Sequence, residues 1–166
     1  MTTLPEPLQK CVKLETINAI NNVIVFIPMS YSSLTHLKQI ILSNNQIAEF
    51  PIMFAGLKHL DMLDLSRNII TNVPAEAKEL HCTELNLNQN QITKLAEEIA
   101  DCPRLKTLRV EENCLPIQAI PVKILKQSVI SNFLVDGNLF NSKQFTELEG
   151  YTEYMERYTA VKKKMF

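Results

Sequence analysis

The chain has 166 residues, of which 46% are apolar, and its 17 basic and 18 acidic side chains leave a formal net charge of −1. This length allows one domain with a sizeable core, and the balanced charge excludes a chain-wide basic field for nucleic acid. The scarcity of glycine (3 residues) argues against glycine-rich phosphate-binding loops.

Six asparagines recur at intervals of 22 to 25 residues, each with apolar residues at the same offsets. They are Asn22, Asn45, Asn68, Asn90, Asn113 and Asn138. The clearest copy, residues 60–74, reads L-D-M-L-D-L-S-R-N-I-I-T-N-V-P. This L-x-x-L-x-L-x-x-N pattern is that of a leucine-rich repeat, in which a short strand leads into a turn. We expect the six asparagines to form a structural ladder, because an amide can donate to and accept from backbone groups that each turn leaves unpaired.

Between the copies lie return segments with apolar anchors, which predict short helical or 3₁₀ turns on the outer side. The anchors are Leu8, Cys11, Tyr31, Leu34, Phe54, Leu57, Ile99 and Cys102. After the fifth copy, residues 116–121 add length and break the spacing. The strands then line an inner, concave face as a parallel sheet.

The N-terminal residues 1–13 begin partway through a return segment, without a polar cap ahead of it. We therefore expect an unprotected first strand at Thr16 to Ile20, with Ile17 and Ile20 apolar, as in a fragment or short isoform. This edge gives the alternative function, a structural or assembly role through self-association.

After Asn141 the repeat pattern stops, and apolar residues follow at spacings of three and four. The spacing predicts one C-terminal helix over about 142–164, with Ser142 as its N-cap and Glu153 and Arg157 as an ion pair. Its apolar stripe should cover the sixth repeat. The whole chain, 1–166, is thus expected to be a single domain with six repeats within about 14–141.

The four cysteines form no C-x-x-C pair. Cys11, Cys82 and Cys102 occupy apolar positions of the repeat, so we interpret them as core thiols in a reducing compartment, whereas Cys114 lies outside the core positions.

The three histidines, His36, His59 and His81, each precede the leading apolar residue of a repeat, and Lys13 and Arg104 extend that column. No carboxylate or thiolate is placed to complete a zinc site, so a solvated basic stripe is the favoured interpretation and no metal is expected. A patch for an acidic partner is the alternative.

The sequence contains no catalytic or nucleotide-binding motif, so we expect no enzyme activity and no cofactor. The candidate site is instead the concave face, where early strands present apolar residues and later strands present acidic residues around one arginine. The residues are Ile41, Met62, Asp64, Glu84, Asn86, Asn88, Arg109, Glu111 and Asp136. An apolar zone beside a charged rim is typical of protein interfaces, although a merely solvated face remains open.

The frame of 23 residues ending in I-P, F-P and V-P resembles the intracellular leucine-rich repeat proteins of the Ras-pathway scaffold type. The stretches E-L-N-L-N-Q-N-Q-I (84–92), C-P-R-L-K (102–106) and L-E-G-Y-T-E-Y-M-E-R-Y-T-A-V-K-K-K (148–164) are similar to one intracellular family of this kind. The resemblance implies an α/β right-handed solenoid, no catalysis, and binding of a protein partner.

Members of that family begin with Met-Gly, which resembles a myristoylation signal, whereas this chain begins Met1-Thr2-Thr3. A membrane anchor is therefore not expected in this chain. No signal-peptide segment and no apolar run of the roughly 18 residues needed to span a membrane are present, which favours the cytoplasm.

Overall fold

The computed structural model describes residues 1–165 and shows a six-stranded parallel sheet in the order β1-β2-β3-β5-β7-β8. The strands are β1 (Thr16–Asn18), β2 (Gln39–Ile41), β3 (Met62–Asp64), β5 (Glu84–Asn86), β7 (Thr107–Arg109) and β8 (Asn132–Leu134). The middle residue of each strand is buried and its two neighbours point outward. Alternation of this kind follows from the period of two along a strand. The predicted α/β leucine-rich repeat solenoid is confirmed.

The strand centres stack in register through the core, since each pairs with its equivalent one repeat away. They are Ile17, Ile40, Leu63, Leu85, Leu108 and Phe133. Each repeat therefore buries its apolar edge only against its neighbours, as the quasi-one-dimensional packing of repeat proteins requires.

The convex side is built from short helical turns and a second, two-stranded parallel sheet, β4 (Asn72–Val73) with β6 (Lys94–Leu95). The 3₁₀ turns are Glu6–Lys10, Met29–Ser33, Ile52–Phe54, Ala75–Glu79, Glu97–Asp101 and Ile117–Ala119, and α1 is Val122–Gln127. Proline precedes most of them, because its fixed φ and missing N–H suit the start of a helical turn. The extra turn and α1 account for the longer fifth interval.

The repeated asparagines join each turn to the preceding one. Asn90 Nδ2 donates to the backbone oxygens of Leu65 and Leu87, each at 3.0 Å, and its Oδ1 accepts from Ile70 N–H at 3.0 Å. The same three bonds, one repeat apart, are made by Asn45, Asn68, Asn113 and Asn138. Asn22 donates only within its own turn, to Ala19 and Ile20.

The residue before each asparagine has a left-handed backbone, with φ between 53° and 77°. These residues are Asn21, Asn44, Arg67, Gln89, Glu112 and Gly137. A residue with a Cβ pays roughly 1–2 kcal/mol in this region. The bonds of the following asparagine hold the chain in that turn.

The N-terminal segment packs on the first repeat. The backbone oxygens of Met1 and Thr2 accept from the N–H groups of Val23 and Val25, at 3.2 and 2.9 Å, and Leu4 is buried. These contacts cover the convex half of the first repeat.

At this end Ile17 is buried, as its position in the repeat requires, because the middle residue of β1 points into the core. One expectation is wrong. Cys11 is exposed rather than a core thiol, because it ends the first 3₁₀ turn on the surface. Ile20 is exposed as expected.

The C-terminal segment is two helices, α2 (Ser142–Thr146) and α3 (Tyr151–Lys164), instead of the single helix predicted over 142–164. Gly150 separates them with φ of 89°, and a Cβ at this position would lie 2.9 Å from Leu125 Cβ. Glycine is required here because no other residue combines this φ with so close an approach.

The N-cap of α2 is Asn141 and not Ser142. The Asn141 side chain accepts from Gln144 N–H, and the Gln144 side chain accepts from Asn141 N–H, which forms a capping box. Both bonds satisfy backbone donors that the first turn of a helix cannot pair.

Helix α3 closes the end of the sheet through hydrogen bonds as well as apolar contacts. Tyr154 Oη accepts from Phe133 N–H at 2.9 Å, and Arg157 donates to the backbone oxygens of Ile130 and Ile124 at 3.0 and 2.9 Å. Arg157 therefore bonds to carbonyl groups of the last repeat rather than to the Glu153 carboxylate. The predicted ion pair is wrong, because these carbonyls need a donor.

We predict that Asn68→Ala and Asn90→Ala each lower the free energy of unfolding by about 1–3 kcal/mol, since each leaves one N–H without an acceptor in the core and removes one of the two asparagine donors from each of two carbonyls. Urea denaturation measures the change. Asn72→Ala, at an exposed position, is the control and should change little. Unfolding midpoints equal to that of the wild type would contradict the structural role of the ladder.

We also predict that Tyr154→Phe destabilises the protein by about 1–3 kcal/mol, because the N–H of β8 loses its buried acceptor while the ring packing is kept. Tyr158→Phe, on the half-buried side of the same helix, should be close to neutral. Thermal unfolding compares the two variants, and equal stabilities would mean that α3 covers the last repeat by apolar contact alone.

Candidate partner-binding face

The concave surface is an array of outward side chains set by the strand register. One row holds Gln39, Met62, Glu84 and Thr107, and the next holds Ile41, Asp64, Asn86 and Arg109. The structure thus brings together, on adjacent strands, all but three of the predicted site residues. The remaining three, Asn88, Glu111 and Asp136, follow β5, β7 and β8 directly.

Arg109 and Glu84 form an ion pair at the middle of this face. Arg109 Nε lies 2.9 Å from Glu84 Oε1, and their side chains are 35% and 30% exposed. The register places them diagonally, since Glu84 is opposite Thr107 and Asn86 is opposite Arg109. The arginine is therefore not a free cation surrounded by carboxylates, as the sequence suggested, but half of a partly shielded pair.

Asp64 and Asn86 are partly engaged with their own turns. Asp64 Oδ1 accepts from the N–H and the hydroxyl of Ser66, at 2.9 and 2.7 Å, and Asn86 Oδ1 accepts from Asn88 N–H at 3.0 Å. A short side chain that accepts from the backbone two residues ahead is an Asx-turn. These two side chains shape the exit from each strand as well as the surface.

Asn88 provides a hydrogen-bond acceptor that Arg109, in the next repeat, cannot provide. Arg109 has no acceptor to offer Glu111 N–H, so Asn88 Oδ1 of the preceding repeat accepts this bond at 2.9 Å. Asn88 Nδ2 also donates to Glu111 Oε2 at 2.7 Å. The amide thereby fixes the orientation of the Glu111 carboxylate.

The apolar zone and the acidic end differ in exposure. Ile41 and Met62 are half-buried, so each presents only part of its side chain, whereas Ile20, which follows β1, is 42% exposed. Asp136 is exposed beyond β8. The face therefore grades from an apolar side to an acidic side across the six strands.

One polar connection was not foreseen from the sequence. Arg67 Nε donates to Gln89 Oε1 at 2.7 Å, and Gln89 Nε2 donates to Glu112 Oε2 at 2.9 Å. These residues occupy the left-handed position before each asparagine. The repeat period would have placed them in one column, and their donor and acceptor types would then have suggested the bonds.

The cysteines and histidines do not converge on a metal site. Burial raises the pKa of both Cys82 and Cys102 to about 12, which keeps these thiols protonated. His36 and His59 are exposed and His81 is half-buried. Within residues 1–165, no group of three or more His, Cys, Asp or Glu side chains is arranged to hold a metal ion.

The only long helix in the described part of the chain, α3, is amphipathic and charged. Throughout residues 1–165, no helix combines the length and the apolar character that crossing a membrane requires.

Comparison with solved structures supports the fold. A leucine-rich repeat protein of Leptospira interrogans is 25% identical with a TM-score of 0.75, over 94% of this chain and 39% of that one. An internalin of Listeria monocytogenes is 21% identical with a TM-score of 0.70, over 87% of this chain and 42% of that one.

The leucine-rich repeat ectodomain of a plant membrane receptor kinase from Arabidopsis thaliana, in complex with CASPARIAN STRIP INTEGRITY FACTOR 2, is 28% identical with a TM-score of 0.66. The match covers 84% of this chain and 17% of the ectodomain. The chain thus spans less than half the length of each of these three proteins. In sequence, residues 12–70 match the family described as leucine rich repeat. Six repeats in register, together with this match, show that the chain has the leucine-rich repeat fold.

Proposed function

We propose that this chain is a non-catalytic protein-interaction module of the cytoplasm that binds a protein partner through its concave face. Leucine-rich repeat proteins generally act as protein-interaction modules, and the Arabidopsis ectodomain was solved in complex with another factor. The resemblance of residues 148–164 to an intracellular family supports the location.

The observation that carries the proposal is the ordered polar centre of the face beside an apolar zone. The Arg109–Glu84 pair and the Asn88–Glu111 bond hold their side chains in place before any partner arrives. Preorganised side chains lose less conformational entropy on binding, which favours affinity.

The distribution of charge indicates what the partner offers. Glu111, Glu112 and Asp136 lie at the ends of the later strands, so a basic or mixed-charge surface would match that side. An apolar anchor would cover Ile41 and Met62. Six strands at a spacing of about 4.8 Å make a face about 24 Å wide, which accommodates a helix or an extended segment.

The structure changes the choice of test variant. Arg109→Glu alone would put two carboxylates where the ion pair is, and would disturb folding as well as binding. The exchange of both residues, Glu84→Arg with Arg109→Glu, keeps an opposite-charge pair and inverts its direction. This double variant is expected to melt close to the wild type.

We predict that the exchanged protein recovers less of its specific partners than the wild type in pulldowns quantified by mass spectrometry. A loss of about tenfold would correspond to the removal of one well-formed interfacial charge contact. Lys58→Glu, exposed on an outer return segment, is the matched charge-reversal control and should retain partner recovery. Equal recovery by the wild type and the folded exchange variant would place the binding site elsewhere.

A further inference from the structure

A second surface, independent of the concave face, lies on the convex side of repeats 1 to 3. A groove of about 810 Å³ is lined by side chains from residues 25–29, 47–53 and 71–76. Its apolar side chains are well exposed: Val25 is 53% exposed, Phe26 60%, Met29 59% and Ile52 41%. Large apolar side chains gathered in this way are typical of an interaction site rather than of ordinary surface.

The groove coincides with an irregularity of the second repeat. Pro51 has φ of −78° and ψ of 80°, and Ile52 N–H donates to Phe50 O at 2.9 Å, which is an inverse γ-turn. The 3₁₀ turn that follows has 3 residues, whereas the equivalent turns of the first and third repeats have 5 each. The return segment of the second repeat thus differs from those of its neighbours in its opening turn and in its length.

The second repeat interrupts the convex backbone ladder. Val25 N–H donates to Thr2 O, and three repeats later Thr93 N–H donates to Thr71 O, both at 2.9 Å. Two equivalent bonds do not occur among residues 1–165. They are the bond from Ala48 N–H to Val25 O and the bond from Thr71 N–H to Ala48 O. The Val25 carbonyl and the Thr71 N–H are therefore left without the partner that the ladder supplies in the regular repeats.

The two unpaired groups lie on either side of the second repeat. Val25 and Thr71 belong to repeats two positions apart, which a regular ladder separates by two strand spacings, about 9.6 Å. Ala48 and Glu49 line the groove between them and are exposed, so a segment lying above them would meet a small side chain rather than a bulky one.

The charges of the groove are of one sign. Glu49 and Glu76 lie in its lining and are exposed, and no Lys or Arg is among the residues that line it. An occupant with basic side chains would therefore find complementary charge at the rim.

We propose that this groove binds one extended peptide segment of a protein partner, with apolar side chains at alternate positions and Lys or Arg at its ends. The segment completes the interrupted ladder as an added strand: its backbone N–H donates to Val25 O and its carbonyl accepts from Thr71 N–H. Its apolar side chains cover Phe26, Met29 and Ile52. In strand addition of this kind the backbone bonds provide affinity and the side-chain contacts provide specificity.

The test uses the full chain and a fluorescein-labelled peptide, acetyl-Lys-Val-Ser-Val-Ser-Val-Lys-amide, with binding followed by fluorescence anisotropy. We expect saturable binding that Ile52→Glu weakens about tenfold or more, since a carboxylate would be desolvated without a partner. Val161→Glu, on α3, is the matched control, because Val161 is 43% exposed against 41% for Ile52. The dissociation constant of the control should remain within about twofold of that of the wild type. This is well below the tenfold change that 1.4 kcal/mol represents.

Two further arms separate strand addition from general apolar adhesion. The same peptide with N-methyl groups on all three valines and both serines should lose binding, because none of these residues can then donate to Val25 O. The double variant Glu49→Lys with Glu76→Lys, at exposed positions that folding tolerates, should prefer a peptide with Glu in place of both Lys residues. The Glu84–Arg109 exchange should leave peptide binding unchanged, so failure of the concave site and failure of this one are distinguishable.

Three results would overturn the proposal. The first is no saturable binding up to about 1 mM peptide, which corresponds to −4.1 kcal/mol. The second is equal binding of the N-methylated peptide, and the third is equal weakening by Ile52→Glu and Val161→Glu when both variants melt like the wild type.

Discussion

The asparagine that links each turn to the preceding one is the contact on which the rest of the solenoid depends. At the end of every strand the chain passes through a left-handed residue, and backbone N–H and C=O groups would otherwise be buried without partners. An amide side chain supplies both a donor and an acceptor on a short stem, so one residue pairs three of these groups, as Asn90 does. Aspartate could not donate and alanine could do neither. The parallel register of the sheet follows from this repeated connection.

Because the register is fixed, the concave side chains meet in diagonal as well as direct pairs. Arg109 pairs with Glu84 on the adjacent strand. Asn88 accepts from Glu111 N–H, which has no acceptor in its own repeat because residue 109 is an arginine. A partner on this face must therefore compete with intramolecular hydrogen bonds. Its binding free energy would come from contacts with Ile41 and Met62 and from the acceptor positions that the carboxylates keep free, those of the exposed Asp136 among them.

On the convex side, by contrast, the regular backbone hydrogen bonds between repeats are locally absent. The second repeat lacks the ladder bonds at Ala48, ahead of an inverse γ-turn at Pro51, and exposed apolar side chains such as Phe26 border the gap. The two proposed sites lie on opposite sides of the solenoid and share no residue, so occupation of one would leave the contacts of the other free.

Much of the architecture was determined by the sequence alone, because the repeat period places apolar residues and asparagines at offsets that only one stacked arrangement can bury. The same reasoning missed the break at Gly150, the hydrogen bond from β8 to Tyr154, and the backbone contacts of Arg157. These features, like the Arg109–Glu84 pair, join residues more than 20 positions apart or depend on a single backbone torsion. Tertiary packing decided them, because a sequence pattern specifies which side chains face the core but not which exposed or capping groups come within hydrogen-bonding distance.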